Sequence, residues 1–268
     1  MSRAGLKLQV AGKGVFAGTG GVAFDAAQPV AVFLHGAGMD HSVWALQSRY
    51  LAHHGRAVLA LDIPGHGHSE GPPLASIAEI ADWLAEVLNA AGVERASLVG
   101  HSMGAVAAVS FAARHPKMAQ SLALLGCAAS MPVHPDLLAA AEANDHAAID
   151  MVNGWAHGAG AHIGGHPLPG TWLTGQGNRL LERAAPGVLY ADLAACNVWS
   201  DGAAEAAAVK CPVLLLMGEE DKMTPPKAGR KLAAALSDCR AEELPGCGHM
   251  IMTERPEQTL AALKRFLQ

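Results

Sequence analysis

Short apolar runs ended by Gly, Pro or Asp alternate with Ala- and Leu-rich stretches of helical length, and this alternation constrains the fold more than any other feature. The runs are VAVFLH (30–35), AVLALD (57–62), ASLVGH (96–101), SLALLG (121–126), PVLLLMG (212–218) and AEELP (241–245). Strands with helices on both faces have no solvent side, so they read as nearly continuous apolar runs rather than as an alternating pattern. Between them the sequence predicts helices at 42–54, 74–91, 103–115, 225–236 and 256–267, several opening after Pro and closing near Gly or Pro. Strands that alternate with helices in this way imply an α/β fold with a mostly parallel sheet. LKLQV and GVFAG near the start, with Gly around them, predict an antiparallel hairpin at the sheet edge.

The pattern changes from Ser130 to Gly202. No strand-like run occurs there, and Gly, Pro, His and Trp mix with helical pieces near 135–153 and 178–198. The reading is a core of 1–129 and 203–268 split by a helical insertion, 130–202, that acts as a lid. A chain of 268 residues is long enough for that arrangement. There are 24 acidic against 19 basic residues, a net charge of −5, which argues against a nucleic-acid partner and leaves a small molecule as the expected ligand. Five scattered Cys do not predict a disulfide framework, so the expected compartment is the reducing cytoplasm. The first residues lack the apolar run of a signal peptide, and the longest apolar stretch, 96–113, is interrupted by Ser97, His101, Ser102 and Ser110. No membrane association is expected, and the chain is read as a monomer or homodimer.

Two G-x-S-x-G patterns occur, GHSEG at 67–71 and GHSMG at 100–104. A nucleophile held on a strand-to-helix turn needs an apolar strand before it, small residues beside it and a helix after it. Ser102 has all three: SLV precedes it, Gly100 and Gly104 flank it, and AVAAVSFAARHP follows. Ser69 is followed by Gly71, Pro72 and Pro73, which hold the preceding residues extended and prevent a helix from starting there.

A serine hydroxyl attacks at neutral pH only when a base takes its proton and a third group orients that base. Of fourteen His, His249 stands apart, in the Gly-rich loop PGCGHM after the last predicted strand. The orienting acid is read as Asp221, on the loop after PVLLLMG, ahead of its rivals Glu219 and Glu220. The order Ser, Asp, His is the one this architecture uses. An oxyanion needs backbone N–H donors; Met103, at the start of the helix after Ser102, is one candidate. Ala37, in the HGAG loop after VAVFLH, is the other.

HGAG, DIPGHGHS, GHSMG, GEED with Asp221 and GCGH with His249, in that order, resemble the α/β-hydrolase superfamily. The resemblance implies an eight-stranded, mostly parallel sheet with helices on both faces and a helical cap. It also implies that Asp62 through Ser69 form a structural turn and that His35 holds the oxyanion loop. Ser at 102 departs from the dehalogenase and epoxide-hydrolase branches, which use Asp there, and Tyr50 and Tyr190 are too few for epoxide-type cap tyrosines. The expected activity is hydrolysis of a carboxylic ester of small to medium apolar character through an acyl-enzyme, in the esterase-like branch. C–C bond hydrolysis of a meta-cleavage product is an alternative that the cap arginines, Arg179 and Arg183, support poorly. A lactonase, a perhydrolase and a ligand-binding receptor-like protein are the others.

Trp155, Trp172, Trp199, Met151 and Leu173 of the insertion, with Trp44 of the core, are candidate pocket walls. His157, His162 and His166 lack the helical register of a zinc site and a nearby carboxylate, and Cys247 two before His249 is not a closed site, so no metal or cofactor is expected. The role of His101 stays open.

Overall fold

The sheet follows the apolar runs closely. In the computed structural model, residues 5–166 and 170–268 are described. Residues 1–4, where the stretch read as lacking a signal peptide begins, and 167–169 of the insertion lie outside them. The strands are β1 (Gly5–Val10), β2 (Lys13–Gly18), β3 (Val30–Leu34), β4 (Ala57–Leu61), β5 (Ala96–His101), β6 (Ala119–Leu125), β7 (Val213–Gly218) and β8 (Cys239–Leu244). Among the described residues they form one eight-stranded sheet in the order β1-β2-β4-β3-β5-β6-β7-β8. The β1–β2 hairpin is antiparallel and meets β4 antiparallel; all other neighbours pair in parallel.

Every residue of β3, β4, β5 and β7 is buried. The two-residue period of a strand divides them between two cores. Val32, Leu34, Leu59, Leu61, Leu98, Leu124 and Leu215 enter one, and Ala31, Phe33, Val58, Ala60, Val99, Leu125 and Leu216 enter the other. The last run departs from the expectation of burial on both faces. β8 is the sheet edge and leaves most of its residues exposed or half-buried, which is why it tolerates Arg240, Glu242 and Glu243.

The helices are α1 (Ala45–Ala52), α2 (Ile77–Ala90), α3 (Met103–Arg114), α4 (Pro135–Glu142), α5 (Ala147–Ala156), α6 (Ala159–His162), α7 (Leu173–Leu181), α8 (Val188–Val198), α9 (Gly202–Ala208), α10 (Pro226–Ala235), α11 (Ile251–Glu254) and α12 (Pro256–Phe266). Where the structure shortens or splits a predicted helix, a local signal accounts for it. Ser76 caps α2 by accepting from the Glu79 amide, so the helix starts after 76 rather than at 74. The predicted 42–54 helix opens instead as a 3-10 turn (His41–Trp44) capped by Asp40. Asn144, at φ 53°, separates α4 from α5, and Pro186 with the left-handed Gly187 separates α7 from α8.

The segment between β6 and β7 carries α4 to α9, and α9 starts where the stretch read as the insertion ends. Ala206 and Val209 pack in the sheet core, and Glu205 accepts from Ser110 Oγ and Trp199 Nε1. No described helix is long and apolar enough to cross a membrane.

Candidate active site

β5 runs into α3 through Ser102, whose backbone sits at φ 53°, ψ −116°. A non-glycine residue holds that conformation only when its surroundings over-determine it. They do: the Ser102 amide donates to the Leu125 carbonyl at 2.9 Å, and the Ser102 carbonyl accepts from the Ala105 and Val106 amides. The flanking glycines are required sterically. A Cβ on Gly104 would lie 2.4 Å from the Leu34 carbonyl oxygen, and one on Gly100 would lie 2.3 Å from the Gly104 carbonyl oxygen. The turn thus lifts one hydroxyl above the carboxyl end of the central strands, 8% exposed, with α3 pointing its first-turn amides at the same place.

The decoy is placed differently. Ser69 Oγ donates to the Asp62 carbonyl at 2.6 Å and accepts from the Phe16 amide at 2.9 Å, so its hydroxyl closes a structural turn. Asp62 serves the same turn, accepting from the amides of His41 and His68 and from His41 Nδ1.

Asp221 lies on the loop after β7 and His249 on the loop after β8, and the structure brings them together. His249 Nδ1 donates to Asp221 Oδ2 at 2.8 Å. Asp221 Oδ1 accepts from the Met223 and Thr224 amides at 2.8 Å each, and Oδ2 accepts from Thr224 Oγ1 at 2.7 Å. Burial by itself would raise the Asp221 carboxyl, but the His249 ring and these hydrogen bonds outweigh it and hold the group below the usual carboxylate range. The opposite ring nitrogen, His249 Nε2, is buried with no hydrogen-bond partner among the described residues. His249 and Ser102 both line one cavity of about 360 Å³. Neither rival acid takes the Asp221 place: Glu219 accepts from the Gly246 amide and Glu220 from the Ala159 amide.

His101, whose role the sequence leaves open, anchors the His249 backbone. Its Nε2 donates to the His249 carbonyl at 3.0 Å. Burial, reinforced by the neighbouring His249 ring, pushes it down to about 3, so it stays neutral. His35 acts on the HGAG loop as expected: Nδ1 donates to the Gly36 carbonyl at 2.9 Å and Nε2 accepts from the Ile63 amide at 3.2 Å. Ala37 lines the cavity, and Met103 is the first residue of α3.

Sequence reasoning missed several residues that hold this site. Thr224, three after Asp221, binds the carboxylate with both its amide and its hydroxyl and lies 3.2 Å from His249 Nδ1; the local Asp-x-x-Thr spacing was its signal. Glu254 is buried, and its two oxygens accept from the Gly248 amide beside His249 and from the Gly158 amide of the insertion. The Ala156 carbonyl of α5 accepts from the His249 and Met250 amides at 2.7 and 3.1 Å. Nothing in the local sequence marks a carbonyl for that role.

The pocket expectation needs correction. Trp155 lines the cavity with Met39, Leu137, Val152, Leu189 and Leu193. Trp44 does not: it is 0% exposed and packs on Phe33 beneath the loop, because the 3-10 turn aims it at the sheet. Trp172 does not either: α7 buries Leu173, Gly175 and Leu181, which leaves Trp172 at its start 71% exposed. Leu173 and Trp199 also lie away from the cavity.

Among the described residues one group, Asp40, His41 and Asp62, places potential metal-ligand atoms within 4.8 Å of one another. Its oxygens are engaged already: those of Asp62 in the turn above, and those of Asp40 with Ser42 and Arg183. The histidines of the insertion are spoken for in part, His157 Nδ1 by the Asn153 carbonyl and His166 Nε2 by the Thr253 carbonyl.

A mostly parallel α/β sheet with a serine on a strained strand-to-helix turn and an Asp–His pair on the neighbouring loops defines a class of hydrolase folds. A model described as the alpha/beta hydrolase family matches residues 31–263, and the chain belongs to that family. Among curated relatives, it is 30% identical over 249 residues to a pimeloyl-[acyl-carrier protein] methyl ester esterase of Chromobacterium violaceum, covering 90% of this chain and 94% of that protein. Among solved structures, an enol-lactonase from Burkholderia xenovorans LB400 superposes with a TM-score of 0.86 at 25% identity, over 98% of this chain and 99% of that one. A thermophilic esterase does so with a TM-score of 0.81 at 26% identity, over 98% and 96%. Hydrolysis is the chemistry these relatives have in common.

Proposed function

We propose that the protein is a serine hydrolase that cleaves a carboxylic ester of small to medium apolar character through an acyl-enzyme intermediate. In this reading residues 130–202 are the cap over a core of 1–129 and 203–268. The observation that carries it is the Asp221–His249 hydrogen bond at 2.8 Å, with the opposite ring nitrogen left without a partner among the described residues and with His249 and Ser102 lining one cavity.

The chemistry follows from these positions. Asp221 accepts from Nδ1–H, which leaves the Nε2 lone pair to take the proton as Ser102 Oγ attacks the ester carbonyl carbon. The carbonyl electron pair moves onto oxygen, and the Met103 and Ala37 amides receive that oxyanion. When it collapses, the C–O bond to the alcohol breaks and Nε2–H protonates the leaving oxygen. Water, deprotonated by His249, then attacks the acyl-serine by the same route and frees the acid and Ser102.

The cavity supports an apolar acyl or alcohol group, since Lys222 is the only Lys, Arg, Asp or Glu among the described residues that line it. The C–C alternative wants a cap arginine facing the substrate, but Arg179 pairs with Glu182 and Arg183 with Asp40 and Ser42, away from this cavity. A lactone is a cyclic ester open to the same attack, and the likeness to an enol-lactonase makes it a worthwhile substrate to try.

The test is a panel of p-nitrophenyl esters of increasing acyl length, a lactone and a meta-cleavage product, assayed on wild type and Ser102→Ala. The expected result is turnover of the shorter esters by wild type and none by a folded Ser102→Ala. Full activity in that variant, or ligand binding by wild type with no turnover, would refute the proposal.

A further inference from the structure

One buried carboxylate of the insertion reaches the HGAG loop. Asp192 sits on α8, 1% exposed, and its Oδ2 accepts from the Gly38 amide at 2.8 Å. The same oxygen accepts from His66 Nε2 at 2.8 Å, and His66, on the turn after β4, is 2% exposed. The proton positions follow from the partners. His66 Nδ1 lies 3.2 and 3.1 Å from the Ile63 and Pro64 carbonyls, which can only accept, so Nδ1 carries a hydrogen. Nε2 faces a carboxylate and carries the other, which makes the ring a cation in an ion pair between insertion and core. Burial opposes that charge, and Asp192 more than offsets it, leaving His66 raised above the usual histidine value.

Buried pairs of this kind are often no more stabilising than apolar side chains of the same volume, so stability alone is a weak reason for one. Its location supplies a better reason. Within the HGAG loop the Gly36 carbonyl is held by His35 Nδ1 and the Gly38 amide by Asp192. Ala37 lies between these two fixed points. Asp192 itself does not line the cavity, although Leu189 and Leu193 of the same helix do.

We infer that Asp192 is a positioning residue that holds the Ala37 amide in place for the oxyanion through Gly38 and His66, so that the donor is in line only while α8 is docked. This rests on the proposed role of Ala37. Asn cannot substitute: with its oxygen toward Gly38 and His66 it removes the counter-charge, and with its NH₂ there it faces the Gly38 N–H. The first orientation leaves a buried imidazolium without its counter-charge, and the second leaves the Gly38 amide without an acceptor.

The experiment compares wild type, Asp192→Asn, the double variant His66→Phe/Asp192→Leu and Ser102→Ala. Each is measured for kcat and KM on a neutral p-nitrophenyl ester, inhibition by an aryl trifluoromethyl ketone and thermal midpoint. The ketone adds Ser102 Oγ to its carbonyl and needs the oxyanion donors. Asp192→Asn is expected to lower kcat tenfold or more with KM within twofold, and to weaken the ketone by a similar factor. The double variant replaces the ion pair with apolar packing, so its midpoint is expected to return toward wild type. Its kcat is expected to stay low, because the Gly38 amide still lacks an acceptor. If Asp192→Asn folds poorly, the double variant alone decides. Wild-type kcat in either folded variant, or kcat that recovers in step with the midpoint, would overturn the inference. An active Ser102→Ala would instead refute the underlying proposal.

Discussion

Replacing Asp221 by Asn changes one atom, and the hydrogen bonds around it fix the outcome. Oδ1 accepts from two backbone amides at 2.8 Å each, and an NH₂ there would face two N–H groups. The Asn oxygen must therefore occupy the Oδ1 position, which puts NH₂ at the Oδ2 position, opposite His249 Nδ1 and Thr224 Oγ1. Thr224 Oγ can accept from it. His249 Nδ1 can do so only as a lone pair, so the ring's single hydrogen moves to Nε2, the edge that must receive the Ser102 proton. In a well-studied serine protease triad the same tautomer error costs about 10⁴ in kcat, about 5.4 kcal/mol of barrier. The expectation here is a similar loss on a p-nitrophenyl ester, with KM changed little. Reaction of Ser102 with an aryl phosphonate should slow by a comparable factor, because that attack needs the same base. The backbone amides on Oδ1 keep the side chain in place, so circular dichroism and the thermal transition should stay close to wild type. A folded Asp221→Asn enzyme within tenfold of wild-type kcat would refute both the tautomer assignment and the pairing of roles.

Acid should destabilise the fold through two rings beside the site. Burial, aided by the His66 charge, pushes His35 down to about 4, and burial with His249 pushes His101 down to about 3. An unfolded chain protonates both near 6.5, so the folded state loses stability as pH falls below that value, by about 1.4 kcal/mol per pH unit for each ring until its folded value is reached. His66 is shifted the other way; its contribution is complete below 6.5, is lost only as pH rises through its raised value, and does not mask this slope. Urea midpoints from pH 7 to 4.5 should fall accordingly, less steeply in His101→Asn, and a flat profile would contradict the burial of both rings as neutral groups. For the pocket, Trp155→Ala should move the acyl-length preference toward longer esters, while Trp172→Ala should leave it unchanged. A shift in the exposed Trp172 variant would mean that the cavity wall is wrongly assigned.

Elements whose physics is local were legible in the sequence. The central strands declare themselves because both of their faces are covered, and Ser102 separates from Ser69 because Pro72 and Pro73 forbid a helix where one was needed. Asp221 was legible as a loop residue after an apolar strand, and His249 as the histidine of a Gly-rich loop ahead of the last helix. What stayed hidden depends on long-range approach. Trp44 and Trp155 are the same residue type, and only their placement separates them: a 3-10 turn aims Trp44 into the core, whereas α5 carries Trp155 to the cavity wall. Asp192 left a trace, a single acid in the apolar helix VLYADLAACNV, but its partners His66 and Gly38 lie 126 and 154 residues away in sequence. The pairing of Glu254 with Gly158 has the same character, with 96 residues between them.

The bond from the Ala156 carbonyl to the His249 amide has a practical consequence for anyone building chimeras from this family. Specificity is commonly sought by transplanting the helical segment of one relative onto the sheet of another, as if the two were separable parts. Here the end of α5 supplies the acceptor for the His249 backbone, and Gly158 shares Glu254 with the His249 loop. A graft that replaces everything from 130 to 202 would exchange much of the cavity lining and unseat His249 in one step. A graft that retains residues 153–159 of the recipient, together with Asp192, and replaces only the surrounding helices should alter substrate choice while leaving the Asp221–His249 pair in register.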